Sequence, residues 1–212
     1  MIRRFDADNF KKLCDGLAKR DADLKRIIQD HGHPNMWVRP NSFQTLILTI
    51  LEQQVSLAAA YAAFNRLRDR IGLVTPEKIA ALSDAELKEC YFTRQKIVYA
   101  RELTNAVRSK QIKLRALHHQ TDESVREQLI QLKGIGNWTI DVYLMHALRR
   151  TDLFPLGDIA LVNSLKRNKQ LPDDICKGEM LKVAEPWRPN RTIAAMILWH
   201  DYMQRRKVKV KD

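Results

Sequence analysis

The sequence predicts an all-α protein. Apolar residues recur at helical spacing almost everywhere, no stretch sustains strand-like alternation for more than a few residues, and capping residues sit at the ends of the periodic runs. The elements follow in order from that punctuation. Gly32 closes the first helical region, and Ser42 caps the run Phe43, Leu46, Ile47, Ile50 and Leu51. Gly72 ends the helix that begins near Ser56. Thr75-Pro76 reads as an N-cap with Pro at the first helical position, and Ser83-Asp84-Ala85-Glu86 as a capping box. Thr93 opens a long amphipathic run to about Ser109, Thr121 opens a further helix, and a run from Asn137 to Arg149 follows it. The stretch Thr151 to Gly157, with Pro and Gly, is a loop that delivers Asp158 to the first turn of a helix continuing through Val162 and Leu165. After Arg188-Pro189-Asn190 comes a final helix with Ala194, Ala195, Ile197, Leu198 and Trp199, and the tail Gln204 to Asp212 is expected to fray.

The chain of 212 residues is long enough for one domain or for two small lobes sharing a cleft. Lys and Arg number 37 against 25 Asp and Glu, a net charge of +12 and a pI near 9.8, so polyanions are the expected partners. Charge alone does not choose between DNA, RNA and an acidic membrane. Cys14, Cys90 and Cys176 are odd in number and far apart, which fits neither a Cys-x-x-Cys metal pair nor a disulfide framework. No apolar stretch is long enough for a signal peptide or a membrane span, and a soluble, cytoplasmic protein is expected.

Leu132-Lys133-Gly134-Ile135-Gly136-Asn137-Trp138-Thr139 carries the most information. Two glycines flanking one Ile between helical runs describe a helix–turn–helix hairpin. The glycines let the backbone turn sharply and uncover N–H groups where the second helix begins. Those groups and the positive end of the helix dipole can hold a phosphate without reading sequence. Asp158, one helix and one loop downstream, could then face the sugar of that nucleotide. A carboxylate there stabilises the oxocarbenium character that develops as an N-glycosidic bond breaks, and it can orient a water. Each feature has a plainer reading: a Gly-Ile-Gly loop also serves packing alone, and an Asp at a helix start also serves as a cap.

Together the hairpin and Asp158 resemble the helix-hairpin-helix DNA glycosylases, and most closely the 3-methyladenine DNA glycosylase II family. Three segments in the same order carry the resemblance: Leu51-Glu52-Gln53-Gln54-Val55-Ser56 with the Ala-rich helix after it, Leu132 to Thr139 with Asp158, and Trp187-Arg188-Pro189 through Trp199. The likeness covers roughly residues 40 to 203. It implies two helical lobes with a cleft: a terminal-helix lobe of residues 1–45 and 155–212, and a central lobe of 46–154 containing the hairpin at about 121–149. It also implies a monofunctional enzyme of base excision repair that flips alkylated purines such as 3-methyladenine out of double-stranded DNA and hydrolyses them off, acting as a monomer. Alternatives are a glycosylase for other damaged or mismatched bases and a non-catalytic DNA-binding module.

Residue by residue, the resemblance makes Asp158 catalytic and places Trp138, Trp199 and Trp187 at the base pocket, with plain core as the alternative for Trp199 and Trp187. Bifunctional relatives carry at position 138 a Lys that forms a Schiff base; Trp cannot, so activity should stop at the abasic site. Its ring could stack on a cationic alkylated purine for about 1–2 kcal/mol, or simply fill the core. Val142 stands where relatives carry an aromatic. The hairpin residues Gly134, Ile135, Gly136, Asn137 and Thr139 are expected at DNA, with the backbone oxygens of Ile130, Leu132 and Ile135 able to hold a structural Na+ or K+. Arg94 occupies the place of the wedge that fills the gap left by the flipped base, where relatives often carry an apolar residue, with Phe92 as the alternative unless it is a core residue. Gln53 and Gln54 are expected to approach the opposite strand, or else to cap a helix junction. The four clustered cysteines of iron–sulfur relatives are not in the sequence, so no iron–sulfur cluster is expected, and His31/His33 and His118/His119 lack the companions of a metal site.

Overall fold

The computed structural model describes residues 2–207. Among them thirteen α-helices follow in order: α1 (Phe10–Ala18), α2 (Ala22–His31), α3 (Phe43–Glu52), α4 (Leu57–Ile71), α5 (Pro76–Ala81), α6 (Asp84–Glu89), α7 (Arg94–Arg108), α8 (Leu114–Leu117), α9 (Asp122–Leu129), α10 (Asn137–His146), α11 (Ile159–Asn168), α12 (Lys177–Ala184) and α13 (Arg191–Arg206). The β-type pairing among these residues is an isolated bridge between Arg4 and Arg150.

Local chemistry starts most of these helices. The side chains of Ser42, Ser56, Thr75, Ser83, Thr93 and Thr121 each accept the N–H three residues on, and Ser83 with Glu86 closes a full capping box. Each such cap contributes about 1 kcal/mol. Gly32 and Gly72 end α2 and α4 at φ 77 and 68, a region that glycine enters without strain.

The chain forms two compact units, one of residues 1–38 and 144–212, the other of residues 39–143. Both exchange points precede the expected ones at 45/46 and 154/155. The second falls inside α10, because Leu144, Met145 and Leu148 already belong to the first unit and are buried. In that unit α13 packs against α1, α2 and α11, with Ile193 to Leu198 all at 0% exposure. The second unit packs α3 on α4 and α7, and α7 on α5 and α6.

Two helix ends depart from expectation. α10 stops at His146 instead of continuing to Arg149, because Arg149 turns to φ 56 and its carbonyl accepts the Phe5 N–H at 3.0 Å. The tail does not fray at Gln204: α13 reaches Arg206, its last turn held by Arg205 Nε to Asp201 Oδ1 at 2.5 Å and by Arg206 over the Tyr202 ring. The rest of the expected tail, 208–212, lies outside the described residues.

Candidate active site and DNA-binding hairpin

In the second unit, α9 and α10 are joined by residues 130–136, of which Leu132 and Ile135 turn inward while Ile130 faces out, 45% exposed. Leu132 is 5% and Ile135 3% exposed, while Gly136 and Asn137 are exposed. Ile135 N–H donates to the Leu132 carbonyl at 3.0 Å, and Ile140 N–H to the Gly136 carbonyl at 3.1 Å. α10 therefore opens at the surface, where the positive end of its dipole is presented. The two glycines do different things. Gly134 sits at φ 87 and a Cβ on it would strike the Tyr99 ring, whereas nothing lies within 4 Å of a Cβ on Gly136.

Gln53, at the C-cap of α3, braces this turn. Its Nε2 donates to the Gly134 carbonyl at 2.8 Å and to Thr139 Oγ1 at 2.9 Å. The end of α3 is itself fixed, by Lys96 Nζ on the Leu51 carbonyl at 2.6 Å and by a two-pronged Arg39–Glu52 ion pair. Burial pushes the Lys96 ammonium below its usual range. Of its two expected readings Gln53 takes the helix junction, its amide bonded inside the protein instead of reaching an opposite strand. One expectation is corrected: the Thr139 side chain, 2% exposed, is a buried acceptor instead of a surface contact. Asn137 is exposed, but its Oδ1 takes Arg126 Nη1 at 2.8 Å, and Arg126 also pairs with Asp141, so α9 and α10 are clasped together.

The wedge candidates separate clearly. Arg94 is exposed at the first position of α7, but Phe92 is 3% exposed and is core. The exposed aromatic of that turn is Tyr91, at φ 62 and 61% exposed, under the Arg66 guanidinium. Gln54 is exposed at φ 57 and leads into exposed Val55 and Leu57. Trp138 is half-buried in the first turn of α10, and Val142 is buried.

In the first unit the loop before α11 is pinned at its start. Thr192 N–H donates to the Thr151 carbonyl at 2.9 Å, Thr192 Oγ1 accepts the Leu153 N–H at 3.0 Å, and Arg191 Nε pairs with Asp152 at 2.8 Å. That loop delivers Asp158 as the N-cap of α11. Its Oδ1 accepts the Leu161 N–H at 2.9 Å and Trp199 Nε1–H at 3.0 Å. Trp199 stacks on His146, with centroids 5.7 Å apart and planes at 22°, and His146 Nδ1 lies 2.7 Å from the Trp37 carbonyl. The neighbouring Ile159 is 77% exposed, so Asp158 sits where the protein meets solvent. No local pattern in the sequence marks His146 or Trp37 as members of this group.

Trp187 is bonded elsewhere. It is 1% exposed, its Nε1 donates to Asp21 Oδ2 at 2.8 Å, and Phe154 and Lys169 cover its ring. It is a core residue, a correction to the pocket role expected of it. Among the described residues no three His, Cys, Asp or Glu side chains cluster as a metal site, and no helix is long and apolar enough to cross a membrane.

Residues 47–189 match the family described as HhH-GPD superfamily base excision DNA repair protein. The chain belongs to that superfamily. The YfjP protein of Bacillus subtilis is 32% identical over 200 residues, covering 91% of this chain and 69% of its own. DNA-3-methyladenine glycosylase 1 of Schizosaccharomyces pombe is 30% identical over 190 residues, covering 86% of this chain and 83% of its own. Among solved structures, the 3-methyladenine DNA glycosylase Mag1 of S. pombe, in complex with abasic DNA, superposes with a TM-score of 0.82 at 28% identity, over 95% of this chain and 100% of that one. The all-α fold of this HhH-GPD chain is thus the fold of its relatives.

Proposed function

We propose that this chain is a monofunctional DNA glycosylase of base excision repair, which removes alkylated purines such as 3-methyladenine from double-stranded DNA as a monomer. The observation that carries this reading is the fixed carboxylate: Asp158 Oδ1 is held by both Leu161 N–H and Trp199 Nε1–H at a solvent-facing helix start. A carboxylate fixed in advance stabilises positive charge on a sugar without having to reorganise as the bond breaks.

The hairpin supplies the second half. Gly136 leaves open space at the start of α10, so a phosphate can approach the backbone closely, and the hairpin grips the strand by its backbone without reading a base. The carbonyls of Ile130, Leu132 and Ile135 are hard oxygen donors of the kind alkali cations take; Leu132 O accepts one N–H and keeps a second lone pair, so the set fits Na+ or K+. Such an ion would add positive charge beside the phosphate. Trp138 offers a ring for a cationic base and no amine for Schiff-base chemistry, so the reaction stops at the abasic site.

The test is release of free base from methylated duplex DNA by the wild type and by Asp158→Asn. Asn preserves the N-cap, so the variant should stay folded while release falls by about 100-fold or more. Equal, background-level release from both proteins would make the chain a DNA-binding module. Strand breaks that appear without heat or alkali would contradict the monofunctional assignment.

A further inference from the structure

The far ends of α11 and α13 carry a concentration of positive charge that neither the hairpin nor Asp158 uses. A cavity of about 150 Å3 opens there, and Asn163, Arg167, Asp201, Tyr202, Arg205 and Arg206 contribute to its lining. A wider depression of about 410 Å3 shares Asn163 and Arg167 with it and adds Lys166 and Asp173, one cation and one carboxylate. The carboxylate in the cavity wall does not balance the three guanidiniums. Asp201 is 1% exposed and already accepts bonds from Ser164, Asn168 and Arg205. Among the described residues Arg167 and Arg206 pair with no carboxylate, and Arg206 rests on the Tyr202 ring at 5.7 Å. In the sequence Lys207, Lys209 and Lys211 follow directly.

Two guanidiniums that pair with no carboxylate among the described residues, Arg167 and Arg206, line one cavity, and an anion there relieves their repulsion. Guanidinium forks meet phosphate oxygens two bonds at a time, and the Asn163 amide adds a further donor. Two adjoining depressions that share Asn163 and Arg167 extend beyond one phosphate, which favours a polymer over a free ion. We propose that this cavity is a second phosphate site, holding DNA backbone away from the damaged nucleotide; the identity of the polyanion rests on the DNA-repair reading above. Arg167 lies nine positions after Asp158 on α11. That is roughly 13 Å at the helical rise, or about four base-pair steps, so the phosphate taken here belongs to another nucleotide.

The full chain is titrated by fluorescence anisotropy with a long undamaged duplex at several salt concentrations, alongside an Arg167→Gln/Arg206→Gln variant. The steepness of log K against log salt should fall by about one for each phosphate that is no longer neutralised, with affinity at low salt down about tenfold. Base release from saturating methylated DNA and the thermal unfolding midpoint should not change, and the Arg167→Lys/Arg206→Lys variant should keep the wild-type steepness. An unchanged salt dependence in the Gln variant overturns the proposal. So does calorimetric binding of inorganic phosphate that the Gln variant loses while its DNA affinity stays intact, which would assign the cavity to a free anion. If the wild type releases no base yet the salt dependence still falls, the glycosylase reading fails and this site stands.

Discussion

Trp199 Nε1 donates to Asp158 Oδ1 at 3.0 Å, across 41 residues of sequence, and the same oxygen takes the N–H that begins α11. One oxygen therefore carries both the cap and the indole bond, which fixes the plane of the carboxylate. Trp199→Phe leaves an aromatic ring beside His146 and removes the N–H together with part of the indole. Base release at saturating DNA should fall about tenfold, the worth of one charge-assisted hydrogen bond, with little change in DNA affinity. Single-turnover kinetics check this; a variant with wild-type release would show that the indole N–H is not needed to orient Asp158.

Gln53 links α3 to the hairpin through two bonds, so Gln53→Ala leaves the Gly134 carbonyl and Thr139 without their donor. DNA affinity should fall by about five- to tenfold, while release at saturating DNA stays near wild type, because Asp158 is untouched. Thr139→Val should have a smaller effect of the same kind. A loss confined to kcat would place Gln53 in a different role.

Helix starts are legible in the sequence because capping is local: Ser42, Ser83 and Thr121 bond groups three residues away. The turn at Gly134 and the cap position of Asp158 are legible for the same reason. The inward role of Gln53 is not, because its partners lie 81 and 86 residues onward, and a Gln at a helix end reads equally as a surface residue. The burial of Trp187 is hidden too, since position in a motif says nothing of depth; the Asp21 that holds its N–H is 166 residues away. His146 and Trp37 meet Trp199 only through the packing of the first unit, which no periodicity encodes.

The two hairpin glycines should separate folding from binding. Gly134→Ala meets both a left-handed backbone and the Tyr99 ring, and should destabilise the chain by about 2 kcal/mol or more. Gly136→Ala has open space for its methyl, so the unfolding midpoint should hold while DNA affinity drops, because the methyl stands where a phosphate approaches. Thermal unfolding and anisotropy on both variants check the pair. If Gly136→Ala binds DNA as well as the wild type, the phosphate does not approach at Gly136.

Asp201 sets an acid limit on the first unit. Burial opposes its charge, but bonds from Asn168, Arg205 and Ser164 outweigh that cost and hold its carboxyl below the usual range, with His31 Nε2 also 3.5 Å away. Folding therefore gains from this ionised group at every pH above the ordinary aspartate value near 3.9. The gain is lost as pH falls further, through the lower value of the folded state. Asp201→Asn should cost on the order of 2 kcal/mol at neutral pH, since Arg205 is left without its partner. The gap between variant and wild type should close as pH falls below about 4. Urea unfolding at pH 7 and in steps below pH 4 measures both, and a gap that stays constant through that range would show that Asp201 stabilises the α11–α13 contact by shape and not by charge.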